Sequence, residues 1–412
     1  MGNVLELDHV TDKSTHIGRT SNGQIQYAAS GMKGWRLSME DCHTLCDAIP
    51  INDTTEILEN HSLFAVYDGH GGGLTSSYAG ENLIRIFSKT PEIRKYVDLP
   101  LEGNKSREDV TGIELLKNAL RRTFMALDAE LRVVQHEKNE EFAKKEDEKQ
   151  EETTGIQGNA VDDAAMRRVE RSGSTCIAVV ITPSHFICAN AGDSRAILRR
   201  DGKSFPLSFD HKPSNLPELE RITTAGGFVK SRRINGDLAV SRGLGDFFFK
   251  CEPEVAINKQ KVICDPEIIV YPREEAKDEF LVLACDGIWD VVSNEQCGDM
   301  IQQILEEGET KIDLVCEEIL DMCLERNSRD NMTLIMVCFP GIKKRKSAFG
   351  RNVVQMRRTA RRARLLEAQA KLTAQHTARR IGLDFSMSQK SEEKVGLEGS
   401  NMSTEAESTS VH

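Results

Sequence analysis

The chain alternates short apolar runs with polar turns. Residues 63–67 (LFAVY), two runs within 175–200 (TCIAVVITPSHFICANAGDSRAILRR), residues 280–285 (FLVLAC) and residues 332–339 (MTLIMVCF) have the length and β-branched or aromatic content of strands buried on both faces. The TPSH segment at 182–185 reads as the turn of a hairpin. Between these runs the periodicity changes. Ile113, Leu116, Leu120, Phe124, Leu127 and Leu131 recur at steps of three and four, which predicts an amphipathic helix. Ser293 and Gln296 form a capping-box pattern opening a helix through Leu305, and DLVCEEILDMCL at 313–324 predicts another before the last strand. Residues 1–22 are polar and read as a loose arm, and the charged stretch 137–171 reads as a solvated insertion. With a composition break at Gly341 and no internal repeat, the expectation is one domain over 23–341. A basic tail that can be helical (342–382) and a Ser/Glu-rich disordered end (383–412) follow it.

Composition narrows the class. With 412 residues and 39% hydrophobic positions the chain can bury a large core, yet no run approaches the roughly eighteen apolar residues of a spanning helix. The N-terminus has no signal-peptide pattern, and eleven cysteines without a CxxC or zinc-ligand spacing point to reduced thiols in a cytosolic or nuclear protein. Charge is divided unevenly. Residues 343–380 carry thirteen Lys and Arg against Glu367 alone, residues 381–412 carry a net −4, and the remainder carries −19 of the −11 total. So acidic a body repels nucleic acid and suits a site that holds cations.

Aspartates stand at the ends of the apolar runs. FAVYDGHGGG places Asp68 after one run and FLVLACDG places Asp286 after another, while SRDNMTLIMVCF puts Asp330 before a third. In antiparallel sheets the start of one strand lies beside the end of its neighbour, so these three carboxylates can share a rim. Asp193, in the turn after FICANAG, is a candidate fourth, and Glu40 and Asp41 of SMEDCH a fifth and sixth. Crowded carboxylates force one another to protonate unless a cation sits among them, and an all-oxygen set favours Mg or Mn. A lone loop aspartate would merely cap a turn; three at strand ends, two followed by glycine, point to metal.

At these residues a resemblance emerges. GWRLSMEDCH, FAVYDGHGGG, SGSTCIAVVI, NAGDSRAIL, LSFDHKP, RINGDLAVSRGLGD, LACDGIWDVV and SRDNMTLIMVCF resemble, in order, the motif set of the metal-dependent serine/threonine protein phosphatases of type 2C, over residues 27–339. The resemblance implies an α+β fold, a central sandwich of two antiparallel β-sheets flanked by α-helices, with the metal site at one end. It implies two Mg or Mn ions bridged by Asp68, with the Gly69 carbonyl, Asp286 and Asp330 completing the set and Glu40 acting through water. Asp193 with Asp286 matches a weaker third metal. Arg36 would grip the substrate phosphate, a role suited to its planar fork. Asp41 would orient a site water.

The implied reaction is hydrolysis of phosphoserine and phosphothreonine in proteins by direct attack of a metal-bridging hydroxide, with His70 as general acid. No DxDxT pattern suggests a covalent phosphoenzyme. Two departures stand out: Asn327 occupies a place where glycine is usual, and Gly243 replaces a usual alanine, which should loosen that turn. Two other classes compete with this reading. A phosphoprotein-binding module would have shed metal ligands, and none is missing; a phosphodiesterase or nuclease fits the carboxylates but not the acidic body.

The ends of the chain address location. MGNVLE begins like an N-myristoylation signal on Gly2, although Glu6 stands where Ser or Thr is favoured. The basic tail 343–380 reads in three ways: a helix on an anionic membrane surface, a nuclear or nucleic-acid patch, or a docking segment. Its near lack of aromatics speaks against base stacking. The expectation is a monomeric cytoplasmic phosphatase acting on phosphoproteins, with membrane or nuclear addresses left open.

Overall fold

In residues 62–67 every side chain is buried because the strand has cover on both faces: Phe64 and Val66 point to one side, Leu63, Ala65 and Tyr67 to the other. The computed structural model describes residues 11–20, 23–52, 56–100, 107–153, 169–342, 355–361, 363, 364, 367 and 370. The chain divides into two compact units between Thr359 and Ala360, and the fold below is that of the first.

Its main strands are β1 (Lys13–Arg19), β2 (Gln26–Met32), β3 (Cys42–Cys46), β4 (Ser62–Tyr67), β5 (Cys176–Ile181) and β6 (His185–Ala191). They continue with β7 (Arg195–Arg200), β8 (Lys203–Pro206), β9 (Glu267–Pro272), β10 (Asp278–Ala284) and β11 (Met332–Cys338). The helices are α1 (Leu74–Ser88), α2 (Pro91–Val97), α3 (Val110–Thr153), α4 (Leu216–Thr224), α5 (Asp286–Trp289), α6 (Asn294–Glu306) and α7 (Ile312–Glu325). One sheet runs β1-β2-β11-β10-β7-β8 and the other β9-β6-β5-β4-β3, with antiparallel neighbours throughout. Phe64, Val179, Phe186, Leu281, Leu283 and Ile335 fill the space between the sheets. The α1 and α3 helices cover the outer face of the second sheet through Leu83, Phe87, Leu116, Leu120, Phe124 and Leu127. On the first sheet, α7 lies against β2 and β11. The expected sandwich is therefore present. The capping box at Ser293 and Gln296 has both of its hydrogen bonds, and all eleven cysteines are free.

One expectation needs correction. Residues 13–19 are not a loose arm but the edge strand β1, held by Lys13–Asp321 at 2.6 Å and Thr15 Oγ1 donating to Glu317 at 2.9 Å. Hydropathy misses it because an edge strand is held by backbone pairing and needs little apolar content. The solvated stretch 137–171 begins as helix: α3 runs on to Thr153, and residues 137–145 on it are exposed or half-buried. Once the apolar turns fix a helix, each added residue gains a hydrogen bond, and Glu, Lys and Gln propagate it well.

Further on, Arg357 donates to both oxygens of the buried Glu318 at 2.7 and 2.8 Å, and Arg358 pairs with Glu309 at 2.5 Å. Residues 357 and 358 of the basic tail are thus seated on Glu318 within α7 and on Glu309 in the loop between α6 and α7. Gly2 and the end 383–412 lie outside the described residues.

Candidate active site

Asp68 follows β4, Asp286 follows β10 and Asp330 precedes β11, so antiparallel pairing of β10 with β11 brings chain ends of opposite direction to one rim. The backbone amide of Asp68 donates to Thr175 Oγ1 at 3.1 Å, and the Asp286 amide approaches Asp68 Oδ2 at 3.4 Å. Carboxylate oxygens of Asp68, Asp193 and Asp286 lie within 4.8 Å of one another, as do those of Asp41 and Asp68 with Cys285 Sγ. Burial, followed by the charges of Asp41, Asp286, Asp193 and Asp330, pushes Asp68 well above the usual carboxylate range. Burial likewise pushes Asp41 and Asp286 up to about 7. Asp193 is also raised by burial, although the Lys212 ammonium paired with it opposes the rise.

The surrounding loops fix the other candidates. Glu40 Oε1 accepts from Ser38 Oγ at 2.7 Å and Oε2 from the Gly72 amide at 3.0 Å, while its own amide donates to Asn331 Oδ1 at 2.9 Å. Asp41 Oδ2 accepts from Thr333 Oγ1 at 2.8 Å, and its buried Oδ1 has no partner among the described residues. Arg36 Nη2 lies 2.6 Å from Asp330 Oδ2. Gly69 must be glycine: a Cβ there would overlap the Glu40 carbonyl oxygen. Gly71 and Gly72 take φ of +69° and +127°, which lets the turn fold back beneath the Glu40 carboxylate.

All the candidate residues except Asp41 line one cavity of about 880 Å3. Asp41 lies behind it, within reach of Asp68. Four raised carboxylates and an unpartnered buried oxygen are what a hard divalent cation would satisfy, so the donor set fits metal. Cys285 is no competitor for such an ion, since its buried sulfur already accepts from the Thr333 amide at 3.1 Å.

Sequence reasoning missed several neighbours. His70 Nε2 is held by Asp246 at 2.9 Å, and Asp246 sits at φ +52° in the GLGD turn, quoted as a motif but given no role. Burial alone would lower the His70 pKa; the Asp246 charge and hydrogen bond outweigh it and raise it above the ordinary value. Lys250, 2.6 Å from the buried Asp128 on α3, ties down the far end of that turn. Asn331 and Lys212 stand inside the motifs SRDNMTLIMVCF and LSFDHKP, but nothing in their residue types marked them out.

Buried oxygen donors with an arginine and a protonatable histidine at the rim define a hydrolase of phosphate esters that uses divalent metal. The sequence profile of the protein phosphatase 2C family matches residues 25–332. The chain is 36% identical to "Protein phosphatase 1A" of Bos taurus over 329 residues, 80% of this chain and 74% of that one. It is also 36% identical to "Protein phosphatase 1B" of Mus musculus, over 84% of this chain and 77% of that one. The crystal structure of serine-threonine phosphatase 2C from Toxoplasma gondii shares the fold, with a TM-score of 0.60 at 20% identity over 79% of this chain and 99% of that one. The chain belongs to the protein phosphatase 2C family: it is a metal-dependent serine/threonine protein phosphatase whose substrates are phosphoproteins. No helix among the described residues is long and apolar enough to cross a membrane.

Proposed function

We propose that the rim of this sandwich hydrolyses phosphoserine and phosphothreonine esters in one step, with the residues of FAVYDGHGGG at its centre. Asp68, the Gly69 carbonyl, Asp286 and Asp330 hold two Mg or Mn ions, Glu40 assists through water, and Asp193 with Asp286 offers a weaker third place. When bound, the ions supply a nucleophilic water at neutral pH by lowering its pKa. Arg36 takes the phosphoryl oxygens in its fork, leaning on Asp330 for direction. Asp41, hydrogen-bonded by Thr333, orients a site water.

Water oxygen forms the new bond to phosphorus while the bond to the serine or threonine oxygen breaks. That leaving oxygen takes a proton from His70. With Nε2 held by Asp246, Nδ1, which has no partner among the described residues, is the nitrogen that gives the proton up. For the tail, the seating of Arg357 and Arg358 on Glu318 and Glu309 favours docking on the protein's own acidic surface over the membrane reading.

The observation that carries the site assignment is the buried cluster of Asp68, Asp193 and Asp286, whose like charges need a cation. It is tested by phosphate release from a phosphothreonine peptide with Mn, with Mg and with EDTA, using wild type and Asp286→Asn. Metal-dependent release lost in the variant supports the assignment; release unaffected by EDTA or by the substitution refutes it.

A further inference from the structure

Residues 170–172 form a strap beside the Gly71–Gly72 turn. The Arg171 carbonyl oxygen lies 3.6 Å from where a Gly71 Cβ would stand. The strap is fixed from behind by the polar extension of α3. Asn139 Oδ1 accepts from the Glu170 amide at 2.6 Å, and Gln135 Nε2 donates to the Ser172 carbonyl at 2.7 Å. The Glu170 side chain turns back to the Ser172 amide at 2.9 Å. The Ser172 carbonyl also accepts from the Asp246 amide at 3.3 Å. So rigid a backbone presents one side chain to the cavity, and that is Arg171.

Its guanidinium lies 5.5 Å from the centroid of the Phe248 ring, and among the described residues it meets no carboxylate. Phe248 is itself 64% exposed at the same cavity. Arg36 differs, because Asp330 already neutralises it. A guanidinium stacked on an aromatic face keeps its charge, loses much of its rotamer freedom, and leaves its fork open to an incoming anion. The cavity wall around it is otherwise dominated by acids, so the anion that Arg171 receives must arrive with the substrate.

We propose that Arg171, stacked on Phe248, forms a specificity subsite for an acidic side chain of the phosphoprotein, within about three residues of the phosphorylated one, the span a ~10 Å reach allows. The chemistry is a carboxylate in the guanidinium fork, with the ring covering the aliphatic part of the same side chain. This deepens the phosphatase reading and rests on it.

The test uses full-length protein with Mn and phosphothreonine peptides in which a single Glu or Gln is moved through the three positions on either side. Wild type should favour Glu over Gln at one position by roughly fivefold in kcat/KM, and the preference should shrink as salt rises. In Arg171→Gln the ratio should fall to near one; Arg171→Lys should keep part of it, and Phe248→Ala should lower it. A wild type without preference at any position overturns the proposal, as does a ratio that Arg171→Gln leaves intact. Failure of the wild type to turn over p-nitrophenyl phosphate would instead overturn the phosphatase reading, and this subsite with it.

Discussion

Nε2 of His70 lies 2.9 Å from Oδ1 of Asp246 and 3.0 Å from Oδ2, joining two turns 176 positions apart in the chain. One turn leaves the interior strand β4; the other is tied to α3 by the buried Lys250–Asp128 pair. The acid of the proposed reaction is thereby held in place by an element that contributes no metal ligand.

Asp246→Asn should expose this dependence. The carboxylate raises the His70 pKa and so keeps the acid form at higher pH. Without its charge the pKa falls, and the alkaline limb of the kcat profile should move to lower pH. Turnover of a phosphopeptide near pH 8 should drop roughly tenfold or more. A profile that keeps its alkaline limb would remove Asp246 from this role.

Without metal, the site carboxylates should favour the folded state in acid. Asp41 and Asp286 are pushed up from 3.8 to about 7, with burial the leading cause in both. Between those two values the folded state holds protons that the unfolded chain has released, so stability falls as pH rises through that window. Thermal unfolding in EDTA should show Tm dropping by about 5 °C or more from pH 4.5 to 7.5. Saturating Mn should abolish most of that drop, whereas the same slope with and without Mn would contradict the site.

Arg36 should govern substrate binding before chemistry. Its fork is half-exposed and already directed by Asp330. Arg36→Ala should raise KM for a phosphopeptide by roughly tenfold, and Arg36→Lys, with charge but no planar fork, should recover only part. Steady-state kinetics on both variants decides it: equal KM values in wild type and Arg36→Ala would count against phosphate contact.

Lys250 is a stability position with a catalytic consequence. It is 1% exposed and donates to Asp128 at 2.6 Å and to the Gly243 carbonyl at 2.8 Å. Lys250→Met would strand the Asp128 charge, with a loss of about 3 kcal/mol in urea unfolding. Turnover should fall as well, because the Asp246 turn loses its anchor. Unchanged unfolding would mean that Asp128 finds another partner.

Gly243 shows how a local reading and a tertiary one can differ. Compared with alanine, glycine should loosen a turn, yet a Cβ here would stand 2.8 Å from the Ser174 carbonyl oxygen. What crowds a side chain at this position is the neighbouring segment, not the turn. Asn327 behaves as its residue type allows, at φ +69°.

The sequence by itself determined the buried strands β4, β5, β6, β10 and β11 and the helices α3, α6 and α7, because apolar runs and three- and four-residue periodicity record directly which faces are buried. It also determined the aspartates at the strand ends, since hydropathy breaks sharply where a carboxylate meets the rim, and the order of the motifs carried the family. Only the tertiary structure decided what leaves no hydropathic trace. The polar edge strand β1 is held by backbone pairing, and the charged half of α3 is held by propagation from its apolar turns. The strap carrying Arg171 is clamped by Gln135 and Asn139, and Asp246 reaches His70 across 176 residues. Apart from the propagated half of α3, each of these rests on a hydrogen bond or charge pair between distant segments, and such a pair exists only once the core has folded them together.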